Sequence, residues 1–160
     1  MKFRRLTNLE LQKVEKEFIQ FLAANSITAQ EWEELKVNQE HKAELLIEMF
    51  SDIVIEKALS KCECLEKVAP FEFRTYKFFE HFVKLIVIKI QPTESIDFTK
   101  GKLGPTLQKV VKHHANDMEV FHAKKEYKKL REQEMFEVLK TGAYMTDDRL
   151  FSKLNTLLPD

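Results

Sequence analysis

The sequence predicts an α+β protein in which N-terminal and C-terminal helices pack on a small, largely antiparallel sheet. Three observations carry that reading. Helix-start signals crowd the first 62 residues, β-branched and aromatic residues crowd positions 71 to 91, and helical periodicity returns after Pro105. Blocks of one element type followed by blocks of another belong to α+β folds rather than to alternating βαβ folds.

The first helix starts at Thr7-Asn-Leu-Glu10, a capping box in which Thr7 and Glu10 each satisfy an otherwise orphaned backbone N–H. Leu6 and Leu11 stand at the staple positions, and Leu11, Val14, Phe18 and Leu22 recur at helical spacing until Asn25. The same grammar repeats at Thr28-Ala-Gln-Glu31, with Ile27 and Trp32 as the staple pair. Asn38 is expected to cap a third helix running to about Cys62. Its apolar residues cover more than one face, which places it centrally. Glu44, Glu48, Asp52 and Glu56 fall every four residues along what remains.

Strands are expected over Phe71–Glu80 and Val83–Gln91, joined near His81-Phe82 without the usual Asn-Gly chemistry. Cys64–Val68 and Ser95–Phe98 read as two further strands. Thr99–Pro105 holds two of the three glycines and reads as a loop, with Pro105 opening a helix. Met118–Ala123 fits either a strand or a helix. Glu126–Thr141 reads as helical and is stopped by Gly142 in the left-handed cap position. Thr146 is expected to cap a last helix, with Asp147 and Asp148 favourably placed in its first turn.

Bulk properties narrow the function. A chain of 160 residues with 44% apolar content is read as one domain over 1–160, with a core that needs no covalent staples. The 13 phenylalanines, against 3 tyrosines and 1 tryptophan, are expected to anchor that core. With 26 basic and 26 acidic side chains the formal charge is zero, so no global field draws the chain toward nucleic acid or anionic lipid. The charge is uneven: eleven acids face five lysines over 31–72, and nine bases face three acids over 100–131. Two cysteines build no disulfide framework. The opening lacks the apolar run of a signal peptide, and Phe82–Ile90 is too short to span a bilayer. A cytoplasmic location without membrane attachment is expected, and no cofactor signature is present.

Several clusters can carry chemistry. His113, His114, Asp117, Glu119 and His122 combine imidazoles and carboxylates at helical spacings that suit zinc, iron or acid–base work. His113, Asp117, Glu119 and His122 are the candidate metal ligands, set against scattered surface polarity. Cys62 and Cys64 stand closer together than zinc thiolates usually do. Lys100, Lys102 and Gly104 sit in a glycine-bearing loop before a helix, the parts of an anion site. No Lys-Ser/Thr follows the second glycine, so it is not a Walker loop. Lys124, Lys125, Lys128, Lys129 and Arg131 form a basic stripe, and with the aromatic run Phe71–Phe79 they raise single-stranded nucleic acid binding. Neutral net charge and the lack of an RRM signature argue against it. The acidic strip Glu44–Glu56 repels itself, and pairing with the basic stripe is the favoured relief. No Ser/His/Asp arrangement, nucleophile elbow or dinucleotide fingerprint occurs.

Met1–Thr7, Glu15–Ala29, Met49–Val54, Ile96–Gly101, Lys125–Tyr127 and Gly142-Ala143 together resemble a family of small uncharacterised Bacteroidetes proteins, a domain of unknown function. The resemblance implies no activity, cofactor or catalytic residue. Uneven charge without a catalytic constellation makes the leading expectation a non-enzymatic cytosolic protein that binds a macromolecule, a protein partner rather than nucleic acid. The alternatives are a metal-dependent or acid–base enzyme using His113–His122, and a weak anion or nucleic acid binder using Lys100–Gly104 and Lys124–Arg131. Nothing in the sequence speaks to oligomeric state.

Overall fold

The computed structural model describes residues 1–157 and is of α+β class, with seven helices and a five-stranded antiparallel sheet among those residues. The chain forms two compact units, Met1–Ala58 and the part from Leu59 onward.

The first unit is helical: α1 (Asn8–Lys13), α2 (Glu15–Ala24), α3 (Ala29–Asn38) and most of α4 (Glu40–Ser60). Both capping boxes form. Thr7 and Thr28 accept the Glu10 and Glu31 amides, and the two glutamates return bonds of 2.8 and 2.7 Å to the cap amides. The single first helix expected to Asn25 is instead broken at Val14 (φ −116°, ψ 27°), whose N–H turns back to Leu11. Asn38 ends α3 rather than capping α4, because the chain breaks one residue later at Gln39 (φ −142°, ψ 56°). Ser26 adopts φ +58° where α2 ends. Its N–H reaches Ala23 and that of Ile27 reaches Leu22, a Schellman closure built on serine instead of glycine. The core is aromatic. Phe18 meets Trp32 edge-on at 5.2 Å and Phe50 at 5.0 Å, and Phe21 meets Phe50 at 5.4 Å.

The acidic strip of α4 is relieved internally, but not by the basic stripe. The opening segment lies along it instead. Asp52 accepts the backbone N–H groups of Lys2 (2.6 Å) and Phe3 (2.9 Å), Lys2 Nζ reaches Glu56 at 2.9 Å, and Arg5 pairs with Glu44. Next to Asp52 in the chain, buried Ser51 accepts Leu6 N–H at 3.1 Å and donates to Ile47 O at 2.6 Å.

In the second unit the strands are β1 (Cys64–Ala69), β2 (Glu72–Phe78), β3 (Phe82–Ile90), β4 (Met118–Glu126) and β5 (Tyr144–Thr146), ordered β4-β3-β2-β1-β5. Helices α5 (Leu103–His113) and α7 (Arg149–Leu157) join one core with the sheet: Phe73, Ile86 and Ile88 cluster with Leu107, Val110, Phe151 and Leu154. Helix α6 (Arg131–Lys140) packs on β1, with Met135 and Leu65 fully buried. Arg131 donates to the carbonyls of Leu59, Cys62 and Phe78 and so ties three chain ends together.

Four boundaries differ from the sequence expectation. Ser95–Phe98 forms no strand, only the isolated bridge Thr93–Ile96, although Ile96 and Phe98 are buried as loop anchors. Met118–Glu126 is strand throughout, so helix α6 begins only at Arg131. Pro105 is the third residue of α5, after Leu103 and Gly104. Thr146 belongs to β5, and Asp147 rather than Thr146 accepts the first amide of α7, that of Arg149, at 3.0 Å.

Candidate anion-binding cleft

The antiparallel register between β1 and β5 sets Glu66 opposite Tyr144, and the register between β1 and β2 sets Glu66 opposite Thr75. Directly opposed residues share one face of a sheet, so Tyr144, Glu66 and Thr75 form a polar rank across three strands. Glu66 is 3% exposed and Thr75 fully buried. The Tyr144 hydroxyl donates to Glu66 Oε2 at 3.0 Å, while Thr75 Oγ1 finds no hydrogen-bond partner among the described residues. Burial pushes the Glu66 carboxyl up, the Tyr144 bond pulls it partly back, and the charge of Asp147 adds to the rise. Burial, with the Glu66 bond, pushes the Tyr144 phenol up to about 12, so it remains a donor at ordinary pH.

Above this rank opens a cleft of about 550 Å³. Glu66 and Thr146 line it from the sheet, Lys102 and Gly104 from the start of α5, and Arg149, Leu150 and Lys153 from α7. Asp147, also in the lining, holds Arg149 through contacts of 2.7 and 2.8 Å, which neutralises both charges locally. Lys102 and Lys153 form no ion pair among the described residues. The cleft thus presents two uncompensated ammonium groups near a carboxyl group whose ionisation is disfavoured.

A second cavity, about 280 Å³, lies between α5 and α7. Leu107, Val111, Leu154 and Leu157 line it, with exposed Lys112 beside them. It shares Gly104, Leu150 and Lys153 with the cleft.

Of the residues singled out in the loop, Lys102 and Gly104 therefore meet in the cleft. Lys100 does not line it and instead pairs with Asp97 at 3.3 Å. The His113–His122 cluster is dispersed by its secondary structure. His113 is exposed at the end of α5, and His114 approaches Asp117 at 3.8 Å. Glu119 and His122 lie three apart on a strand, which puts them on opposite faces. Among the described residues no three His, Cys, Asp or Glu side chains converge to hold a metal ion. Cys62 and Cys64 are free thiols, the second buried and pushed up to about 12 by desolvation. The basic stripe is absorbed locally: Lys125 pairs with Glu134 at 2.7 Å, Lys129 approaches Glu137 at 4.0 Å, and Arg131 serves the carbonyls already described. Phe73 and Phe78 of the aromatic run are buried.

Sequence reasoning passed over Glu66, Tyr144, Arg149 and Lys153. The one available signal was a glutamate inside the otherwise apolar start of β1, Cys64-Leu65-Glu66, and it is a weak one.

A family model matches residues 1–159, and its description is a family of unknown function, DUF6495. The chain belongs to that family. No curated protein and no solved structure matches it. The DUF6495 match spans both compact units. No helix among the described residues is long and apolar enough to cross a membrane.

Proposed function

We propose that this DUF6495 protein binds a small organic anion in the cleft between α5, α7 and β5. One observation carries the reading: Lys102 and Lys153 line a cavity in which every other cation is already paired. Its size falls within the range of small-molecule sites. Lys102 also stands at the N-cap of α5, where the helix dipole adds positive potential. Glu66, held by the Tyr144 hydroxyl, supplies the polar floor, and in its protonated form its carboxyl can itself donate to an anion. A bacterial, cytoplasmic setting belongs to the same proposal, supported by the two unbridged thiols and the sequence resemblance.

Titration of the protein with acetate and with inorganic phosphate, followed by backbone amide NMR, tests this reading. Saturable shifts at Lys102–Leu107 and Thr146–Lys153 that weaken with added salt are expected, as is their loss in Lys102→Ala/Lys153→Ala. Shifts scattered over the surface, or unchanged in that variant, end it.

A second reading, docking of a protein partner, rests on α4. Leu45, Met49 and Ile53 recur every four residues and are 45%, 52% and 50% exposed, an apolar stripe that helix-in-groove recognition uses. If a partner copurifies, Met49→Glu should release it from a folded protein. Retention by that variant removes the stripe from consideration.

A further inference from the structure

Resting on the anion reading, we infer that the ligand is an amphiphile: a monomeric aliphatic carboxylate whose head group occupies the cleft and whose chain enters the slot between α5 and α7. The two cavities share Gly104, Leu150 and Lys153, so they are neighbouring compartments of one site. The first holds Lys102, Arg149 and Glu66; the second is walled by leucine and valine.

Gly104 is the observation that joins them. Gly101 and Gly142 need glycine for their backbones, at φ +71° and +94°. Gly104 is the second residue of α5 and precedes Pro105, whose Cδ crowds a Cβ on any helical residue before it, so glycine suits this backbone too. Beyond its chain neighbours, a Cβ there would meet only Leu150 Cδ2, at 4.0 Å. What its missing side chain does is leave space at the junction between the polar and the apolar compartment. A ligand passing that junction has one charged end and one hydrocarbon end. The sign of the charge follows from Lys102 and Lys153 on one side and Lys112 at the slot.

Isothermal titration of the full chain with acetate, hexanoate and decanoate, all below micelle-forming concentration, tests the inference. Burial of a methylene contributes enough that affinity should rise roughly fourfold per added carbon, levelling off once the slot is filled. Val111→Trp, at a position that lines the slot alone, should abolish the dependence on chain length while acetate still binds, with circular dichroism confirming the fold. Lys153→Glu, at an exposed position, should weaken every carboxylate. Decyltrimethylammonium, with the same chain and opposite charge, should not bind. Equal affinity for acetate and decanoate overturns the amphiphile and leaves the anion reading standing. Silence from all three carboxylates overturns both. Binding seen only above the micelle threshold, binding of the cationic analogue, or decanoate affinity untouched by both variants overturns the inference.

Discussion

The hydroxyl of Tyr144 donates to Oε2 of Glu66 at 3.0 Å, and the carboxyl that receives it is almost entirely shielded from water. Burial raises this group, so the native state holds the proton more tightly than the unfolded chain does. The associated stability is complete below the unfolded carboxylate pKa and is lost as pH rises through the native one. Glu66→Gln keeps an acceptor for Tyr144 and removes the titration. Its melting temperature should exceed that of the parent by a few degrees at pH 7.5, and the gap should close toward pH 4. A gap independent of pH would contradict the assignment.

Ser26 holds a left-handed backbone at φ +58°. An L-residue pays roughly 1–2 kcal/mol for that conformation, a cost that glycine avoids but partly returns through the entropy of its unfolded chain. Ser26→Gly should therefore stabilise by about 1 kcal/mol, read as a rise of about 2–4 °C in thermal unfolding.

The opening segment depends on Asp52, which accepts two backbone amides from Lys2 and Phe3. Asp52→Ala should cost about 1–2 kcal/mol, the lower range for bonds to a charged group at a partly solvated site. Trypsin should then remove Met1–Arg5 faster than from the parent. Identical cleavage rates would show that the segment is held by other contacts.

Gly104→Ala places a methyl group on α5 in ordinary van der Waals contact with Leu150. Pro105 follows, and its Cδ crowds a Cβ on a helical residue before it, so stability should not rise despite the better helix propensity of alanine. Denaturant midpoints check it, and a gain of about 1 kcal/mol would show that the proline imposes no such restriction.

The two thiols should differ in reactivity. Cys64 is fully buried and pushed up to about 12, whereas Cys62 is partly exposed and donates to the Cys64 carbonyl at 3.2 Å. Brief alkylation at pH 8 should modify Cys62 and spare Cys64, as peptide mass mapping will show.

The capping boxes at Thr7 and Thr28 were legible because each is a four-residue device that closes on itself. Strand β4 was not. Lys124-Lys125-Glu126 are good helix formers, and only pairing with Phe82–Lys84 holds them extended. Ser95–Phe98 misled in the opposite sense, since Ile96 and Phe98 alternate to pin a loop and not to extend the sheet. The same division runs through the cleft. Lys102 and Gly104 announced themselves through local loop chemistry. Glu66, Tyr144 and Lys153 are separated by up to 87 positions; strand register sets Tyr144 beside Glu66 and the docking of α7 brings Lys153 to the same cleft as Glu66, and no short window contains either.

The order β4-β3-β2-β1-β5 leaves two open margins, and each is guarded differently. Strand β5 offers only three residues to an incoming chain. Strand β4 is long, but its final turn of the ladder carries Lys124 and Lys125, with Lys124 Nζ drawn over the Phe82 ring at 4.2 Å. Ammonium groups on a free margin discourage another sheet from zipping onto it. The lysines that suggest nucleic acid in the sequence thereby stand where charge disfavours edge-to-edge pairing of sheets.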